Sequence, residues 1–192
     1  MVTVSTSPLA ARTYHHGDLR SALVEAGLKA LETTEIEDLS LRQLARDVGV
    51  SATAVYRHFP DKRALFSALA DAGIERLFHA QEAAAEAAAP NESFAATGRA
   101  YVRFALANPA LFRLTFAYSC RSGPTVFGNS RAALMLQDYA ARIAPDPEDA
   151  RTLVMQAWSL VHGLAMLMLD GQLPPEDALI DRVIDTNSLF GR

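Results

Sequence analysis

Residues 44–59 read LARDVGVSATAVYRHF. Ala45, Gly49 and Val55 have a spacing with mechanical meaning. Two short helices that cross at a sharp angle need a small residue at the contact, a left-handed residue in the turn and an apolar plug from the second helix. Leu44, Val48 and Val50 supply the remaining buried positions. Upstream, Ser40 followed three residues later by Gln43 has the form of a capping box and predicts a helix start. Downstream, Ser51 caps a short helix that runs to about His58, Pro60 stops the chain, and Asp61 caps the next helix. Residues 40–59 thus read as a helix-turn-helix, whose short second helix has the dimensions of a DNA major groove.

On either side of this unit the apolar residues keep helical period, and no stretch alternates as a half-buried strand does. The fold class is all-α. Leu19, Leu23, Ala26 or Gly27, Ala30 and Leu31 predict a first helix over about residues 18–33. After Asp61 one helix continues through Leu65, Leu69, Ala72 and Leu77 or Phe78 into the run Ala83–Ala89, ending at Pro90. At about 28 residues and ~1.5 Å each it is a rod of roughly 40 Å. Further helices are expected over 91–107, 110–118 and 129–143, with a Gly-, Pro- and Ser-rich loop at 121–128. Asp146, Pro147, Glu148 and Asp149 give a strong start for a helix to Asp170, ended by Gly171; Pro174 and Pro175 open a last helix of about a dozen residues. The expected architecture is a three-helix head, a long connecting helix and a helical body.

Half of the 192 residues are hydrophobic, enough for a real core, and the net charge is −4. The charge is unevenly spread. Between Arg42 and Arg63 five cations (Arg42, Arg46, Arg57, Lys62, Arg63) face two acids (Asp47, Asp61), whereas after Arg63 ten Lys or Arg stand against fourteen Asp or Glu. A locally basic head on an acidic body orients the head toward phosphate. The longest apolar stretch, Leu164–Leu169, falls short of the roughly 20 residues a bilayer needs, so no membrane span is expected. Residues 1–11 lack the basic start and apolar run of a secretion signal, and the single Cys120, a small semi-buried apolar residue in this reading, fits a reducing compartment; a cytoplasmic location follows as the expectation. There is no Gly-rich phosphate loop, no metal-ligand spacing and no nucleophile with a base, and the adjacent His15 and His16 have poor geometry for one metal. Neither an enzyme nor a cofactor or metal is expected.

Ser51, Thr53, Tyr56, Arg57 and His58 fall outside the buried set of the second helix, and Lys62 continues their polar side. Tyr56 and Lys62 suit phosphate, which positions a protein on DNA without reading sequence. Arg42, in the first turn of the preceding helix, is the best candidate base reader, since arginine pairs bidentately with guanine; Thr53 offers a methyl group to thymine.

Gly49-Val50-Ser51 and Tyr56-Arg57-His58-Phe59-Pro60-Asp61-Lys62 resemble the signature of the tetracycline-repressor family, over about residues 17–77. Tyr14–Arg20 (YHHGDLR) resembles one branch of it, and Tyr101–Phe116 with Trp158–Gly163 (WSLVHG) resembles the C-terminal domain of regulators named for a Trp-His-Gly signature. Two features depart from the pattern: no glycine ends the first helix near Thr34 and Glu35, and Ala52-Thr53-Ala54 are small. The resemblance implies a homodimer on palindromic double-stranded operator DNA, with recognition helices roughly 34 Å apart. It also implies an effector pocket in each body and, in the family's commonest habit, repression relieved by a small molecule. The last two helices, here 147–170 and 175–188, would form the dimer interface. The domains are then a tail at 1–16, a DNA-binding head at 17–77 and an effector-binding and dimerisation body at 78–192.

In that body Phe104, Phe112, Phe116, Tyr118, Met155, Trp158, Met166 and Met168 concentrate aromatic and thioether groups, either as plain core or in part as the wall of a pocket for a largely apolar effector. His162 is the one polar group in an apolar helix, either a hydrogen-bonded core histidine or the effector's polar anchor. The rival to a DNA-binding regulator is a small-molecule-binding or scaffold protein whose head has lost its affinity for DNA.

Overall fold

The computed structural model describes residues 19–119 and 130–185, and among them there are nine α-helices and no strand. The tail at 1–16, Cys120, the loop at 121–128 and the end of the last expected helix lie outside the described residues. The head comprises α1 (Leu19–Ala30), α2 (Leu41–Val48) and α3 (Ala52–His58). A rod, α4 (Lys62–Ala87), leads to the body: α5 (Ser93–Ala107), α6 (Pro109–Ser119), α7 (Arg131–Ile143), α8 (Pro147–Leu169) and α9 (Asp177–Val183).

Local chemistry sets most helix ends. Ser51, Asp61, Ser130 and Asp146 each accept a backbone N–H of the first turn that follows, contacts worth about 1 kcal/mol apiece. The capping box at Ser40 does not form. Ser40 makes no side-chain cap bond, because Gln43 is held along the helix surface, donating to Asp47 Oδ1 at 2.7 Å and accepting from Arg46. Pro174 and Pro175 likewise precede the last helix without entering it; Glu176 takes the cap position, and α9 is seven residues long.

One apolar core runs from head to body. Leu23, Leu44, Val55, Phe59, Leu65 and Leu69 are nearly inaccessible, so α1, α2 and α3 close onto the start of α4. Each fully buried side chain of this kind contributes about 1.5–3 kcal/mol. Gly27 lets α1 approach α4: a Cβ there would lie 2.9 Å from Leu69 Cδ2.

Midway along α4, Gly73 meets α6, where a Cβ would stand 2.1 Å from Thr115 Oγ1. Thr115 is 1% exposed, so it has nowhere to turn. Gly73→Ala gains about 1 kcal/mol of helix propensity, and overpacking costs about 1–3 kcal/mol. The clash wins, and Tm falls by several degrees, at about 2–4 °C per kcal/mol. A thermal melt showing Gly73→Ala at or above the wild-type Tm would contradict this contact.

One helix is longer and more apolar than the sequence reading allowed, by a test that the core helix of a soluble protein also passes. α8 is 23 residues long with a window of mean hydropathy 1.5, apolar enough by length and composition to cross a membrane, and only 22% of that window is buried within one chain. The apolar stretch is longer than Leu164–Leu169 because Leu153, Val154, Met155, Trp158, Leu160 and Val161 continue it with few charges between.

Candidate nucleic-acid interface and body cavity

Gly49, at φ 78° and ψ 32°, is in the left-handed conformation that ends α2. Its N–H reaches Arg46 O, and the next, of Val50, reaches Ala45 O at 2.9 Å. This Schellman closure redirects the chain within two residues, so that α3 packs on α2 through buried Val55, Leu44 and Ala45. With that face committed, Ser51, Thr53, Tyr56, Arg57 and His58 are exposed, as is Arg42 on α2. Ser51 spends its hydroxyl on the cap of α3, accepting from Ala54 N at 3.2 Å. Lys62 is half-buried. Its Nζ donates to the Glu37 carbonyl at 2.6 Å and lies 5.2 Å from the Phe66 ring centre.

The cations of this face are not neutralised by the protein. Arg42, Arg57 and Arg63 make no ion pair among the described residues, whereas Arg76, Arg99, Arg103, Arg113 and Arg131 each meet a carboxylate. In water an unpaired surface guanidinium costs nothing. Exposed on α2, on α3 and at the start of α4, these groups are free to meet a polyanion.

The body holds a partly open cavity of about 240 Å³ between α4, α5, α7 and α8. Of the nine body residues singled out from the sequence, Phe116 and Trp158 line it, and Met168 is buried in the core. Phe112 and Phe104 lie in the core instead, at 0% and 9% exposure, and Met155 is 45% exposed. Tyr118 packs edge-on against Phe66, and Met166 rests on the core. His162 stands behind the wall, within 4.9–5.7 Å of the ring centres of Phe116, Trp158 and Phe112.

Sequence reasoning missed Phe94, Thr97, Tyr139, Arg142 and Gln81 as wall residues. Phe94 and Tyr139 stack at 3.9 Å between ring centres, pinning α5 to α7. Arg142 puts a charge at the cavity wall, where the sequence offers no sign of a charged lining. Gln81 carried a legible signal: Leu65, Leu69, Gly73, Leu77 and Gln81 recur at intervals of four along α4, so the amide continues the buried stripe. Its Oε1 is buried without a hydrogen-bond partner, an omission that costs about 1–3 kcal/mol.

Behind the wall, the Tyr101 hydroxyl lies 2.9 Å from His162 Nδ1. Burial raises the phenol above its ordinary pKa, partly opposed by a hydrogen bond from the Trp158 side chain. The phenol therefore keeps its proton and donates to Nδ1, leaving the proton of neutral His162 on Nε2. Burial also lowers the pKa of His162. The unfolded chain takes up this proton as pH falls through about 6.5, while the folded chain resists it. Stability is thus full above that pH and is lost as pH falls toward the folded value. Between pH of about 7.5 and 5.5 the wild-type Tm should fall further than that of His162→Gln; equal falls would remove His162 from the pH response.

A helix-turn-helix head with an unneutralised cationic face, carried by a rod on a cavity-bearing helical body, defines the class: a one-chain helix-turn-helix regulator. Comparison with known proteins agrees in both halves. Residues 23–69 match the model of bacterial regulatory proteins of the tetR family, and residues 94–187 match that of the tetracyclin repressor-like C-terminal domain. The chain belongs to the tetracycline-repressor family.

Among solved structures, a Rhodococcus sp. RHA1 protein of unknown function is 34% identical over 92% of this chain and 96% of its own, with a TM-score of 0.72. A tetracycline-repressor variant from Acinetobacter baumannii AYE, in complex with minocycline, is 20% identical over 88% of this chain and 90% of its own, with a TM-score of 0.61, a likeness of fold. The Escherichia coli class C tetracycline repressor is 43% identical over 53 residues, 28% of this chain and 24% of that protein's length.

Proposed function

We propose that this protein is a sequence-specific DNA-binding transcriptional regulator, a homodimer that leaves a palindromic operator when a small, largely apolar effector enters the body cavity. The observation that carries the DNA reading is that the helix-turn-helix keeps Thr53, Tyr56 and the arginines Arg42, Arg57 and Arg63 exposed, with no ion pair to those arginines among the described residues. In this reading residues 17–77 act as the head and 78–192 as the body. Lys62 exchanges the Glu37 carbonyl for a phosphate, and Arg42 reads base edges. Selection of bound sequences from a random duplex pool tests it: recovery of a two-fold symmetric site with half-sites about one helical turn apart is the expected result. Binding to random duplex that does not weaken with salt would support the rival scaffold reading.

Effector release follows from α4, which belongs to both parts. Leu65 and Leu69 lie in the head core, while Ile74, Leu77, Gln81 and Ala85 line the cavity. Arg131 at the start of α7 ties that cavity wall to α4, lying 3.9 Å from the Phe78 ring centre and pairing with Glu75 at 3.5 Å. A ligand that displaces α7 thereby moves the rod that carries the recognition helix.

Dimerisation is supported by α8. Gln156, Ser159, Gly163 and Leu167 recur on one side of it, Leu167 is 46% exposed, and a Cβ on Gly163 would meet nothing within 4 Å. A stripe with the small residues Ser159 and Gly163 at its middle, on an apolar helix, fits close approach by the same helix of a second copy.

A further inference from the structure

We infer that the body cavity takes a monocarboxylic acid with an apolar body of one or two rings, and that Arg142 at the rim holds its carboxylate. The inference rests on the effector reading above and narrows it to a ligand class.

Among the described residues, Arg142 is the one charged member of the cavity wall, and no carboxylate lines it. Arg142 is exposed in the last turn of α7 and makes no ion pair among the described residues. The acids nearest to it along the chain do not take it up. Asp138 stands one turn earlier on α7 without pairing to it, and Asp146 caps α8, accepting from the N–H groups of Glu148 and Asp149 at 2.8 and 3.0 Å. The guanidinium fork is thus free to meet both oxygens of one carboxylate. With no second cation in the wall, it balances a single negative charge and not the double charge of a phosphate.

Behind this rim the surface is apolar. Five rings, those of Phe94, Tyr101, Phe116, Tyr139 and Trp158, line the cavity. Tyr139 stacks on Phe94 at 3.9 Å between ring centres, and it stands three residues before Arg142, where helical side chains are neighbours. A carboxylate held by Arg142 therefore sets its attached body against this pair of rings. At about 240 Å³ the cavity exceeds the ~150 Å³ that admits benzene, leaving room for a ring on a short chain or a fused pair. Neutral polar groups of the wall are engaged within the protein. Ser93 Oγ and Thr97 Oγ1 donate to the carbonyls of Ala85 and Phe94 at 3.1 and 2.7 Å, and the Tyr101 hydroxyl is bonded to His162 Nδ1 at 2.9 Å. Apolar walls give a small polar acid little to bind, and Arg142 selects among apolar molecules the one with an anionic end.

4-Phenylbutanoate and 4-phenylbutanamide are the probes, nearly equal in shape and different in charge. Isothermal calorimetry on the full chain near neutral pH, where the acid is ionised, should show the acid binding about fivefold more tightly. That is the upper end for an exposed ion pair, reached because the fork is bidentate. Arg142→Gln should bring the ratio to about one, and Arg142→Glu should favour the amide. A cation in the last turn also complements the helix dipole, so the readout is the choice between probes and not stability. Both substitutions are at an exposed position and should keep the helical circular dichroism of the wild type. No heat from either probe, a wild-type ratio near one, or an acid preference that survives in Arg142→Gln overturns the inference. Duplex binding measured on the same samples separates the two readings. No acid preference with DNA binding intact overturns the ligand class alone, whereas acid preference without DNA binding overturns the regulator reading alone.

Discussion

Arg42→Ala should lower affinity for the selected operator by about 30-fold to more than 10⁴-fold while leaving affinity for random duplex nearly unchanged. The range follows from a bidentate arginine–guanine pair, about 1–3 kcal/mol of discrimination. It is counted once per half-site in a two-fold dimer and converted at about 1.4 kcal/mol per factor of ten. Arg42 is exposed on α2 and makes no ion pair among the described residues, so its removal leaves nothing stranded in the protein. Lys62→Ala makes the instructive contrast. Phosphate contacts carry no sequence information, so both duplexes should weaken together, and the salt slope should drop by about 0.9 for each lost contact. Fluorescence anisotropy on both duplexes at several salt concentrations distinguishes the two. If Arg42→Ala weakens operator and random DNA alike, Arg42 touches phosphate and another residue reads the bases.

The head was the more legible half because its signals are local. Gly49 at the turn and the caps Ser51 and Asp61 all act within four residues of themselves, and each stands where spacing alone placed it. The failure at Ser40 is of the same scale: the motif was present, but Gln43 had closer partners in Arg46 and Asp47, which spacing does not rank. In the body, periodicity tells which side of a helix is apolar and not which helix will lie against it. Phe112 and Phe116 show the limit. They are four residues apart on one face of α6, yet Phe112 is sealed at 0% exposure while Phe116 borders the cavity. The difference depends on the neighbours α5 and α8 bring, Tyr101, Trp158 and His162, none of which is near in sequence. Gln81 shows the converse. A lone amide on a stripe of leucines was readable as buried, but only the position of Thr97, whose carbonyl accepts from Gln81 Nε2 at 3.3 Å, shows that its nitrogen is engaged and its oxygen is not.

Leu167→Glu should convert the dimer to monomer and remove most operator affinity while the fold survives. At 46% exposure within one chain, Leu167 contributes little to its own core, so a glutamate there is tolerated in water. At a two-fold interface formed by α8, symmetry brings the substitution in twice, and desolvating carboxylates against an apolar helix costs several kcal/mol. The dimer dissociation constant should rise by at least about 100-fold, visible as a change of mass in sedimentation or light scattering at micromolar concentration. DNA binding should fall as a consequence, since each head then binds alone and the gain of about 10²–10⁴ from linked engagement is lost. Helical circular dichroism and a cooperative thermal melt separate this from unfolding, because the monomer keeps the core of its own chain. A Leu167→Glu protein that stays dimeric at the same concentrations would mean that α8 is not the interface, and that some other surface must cover its apolar face.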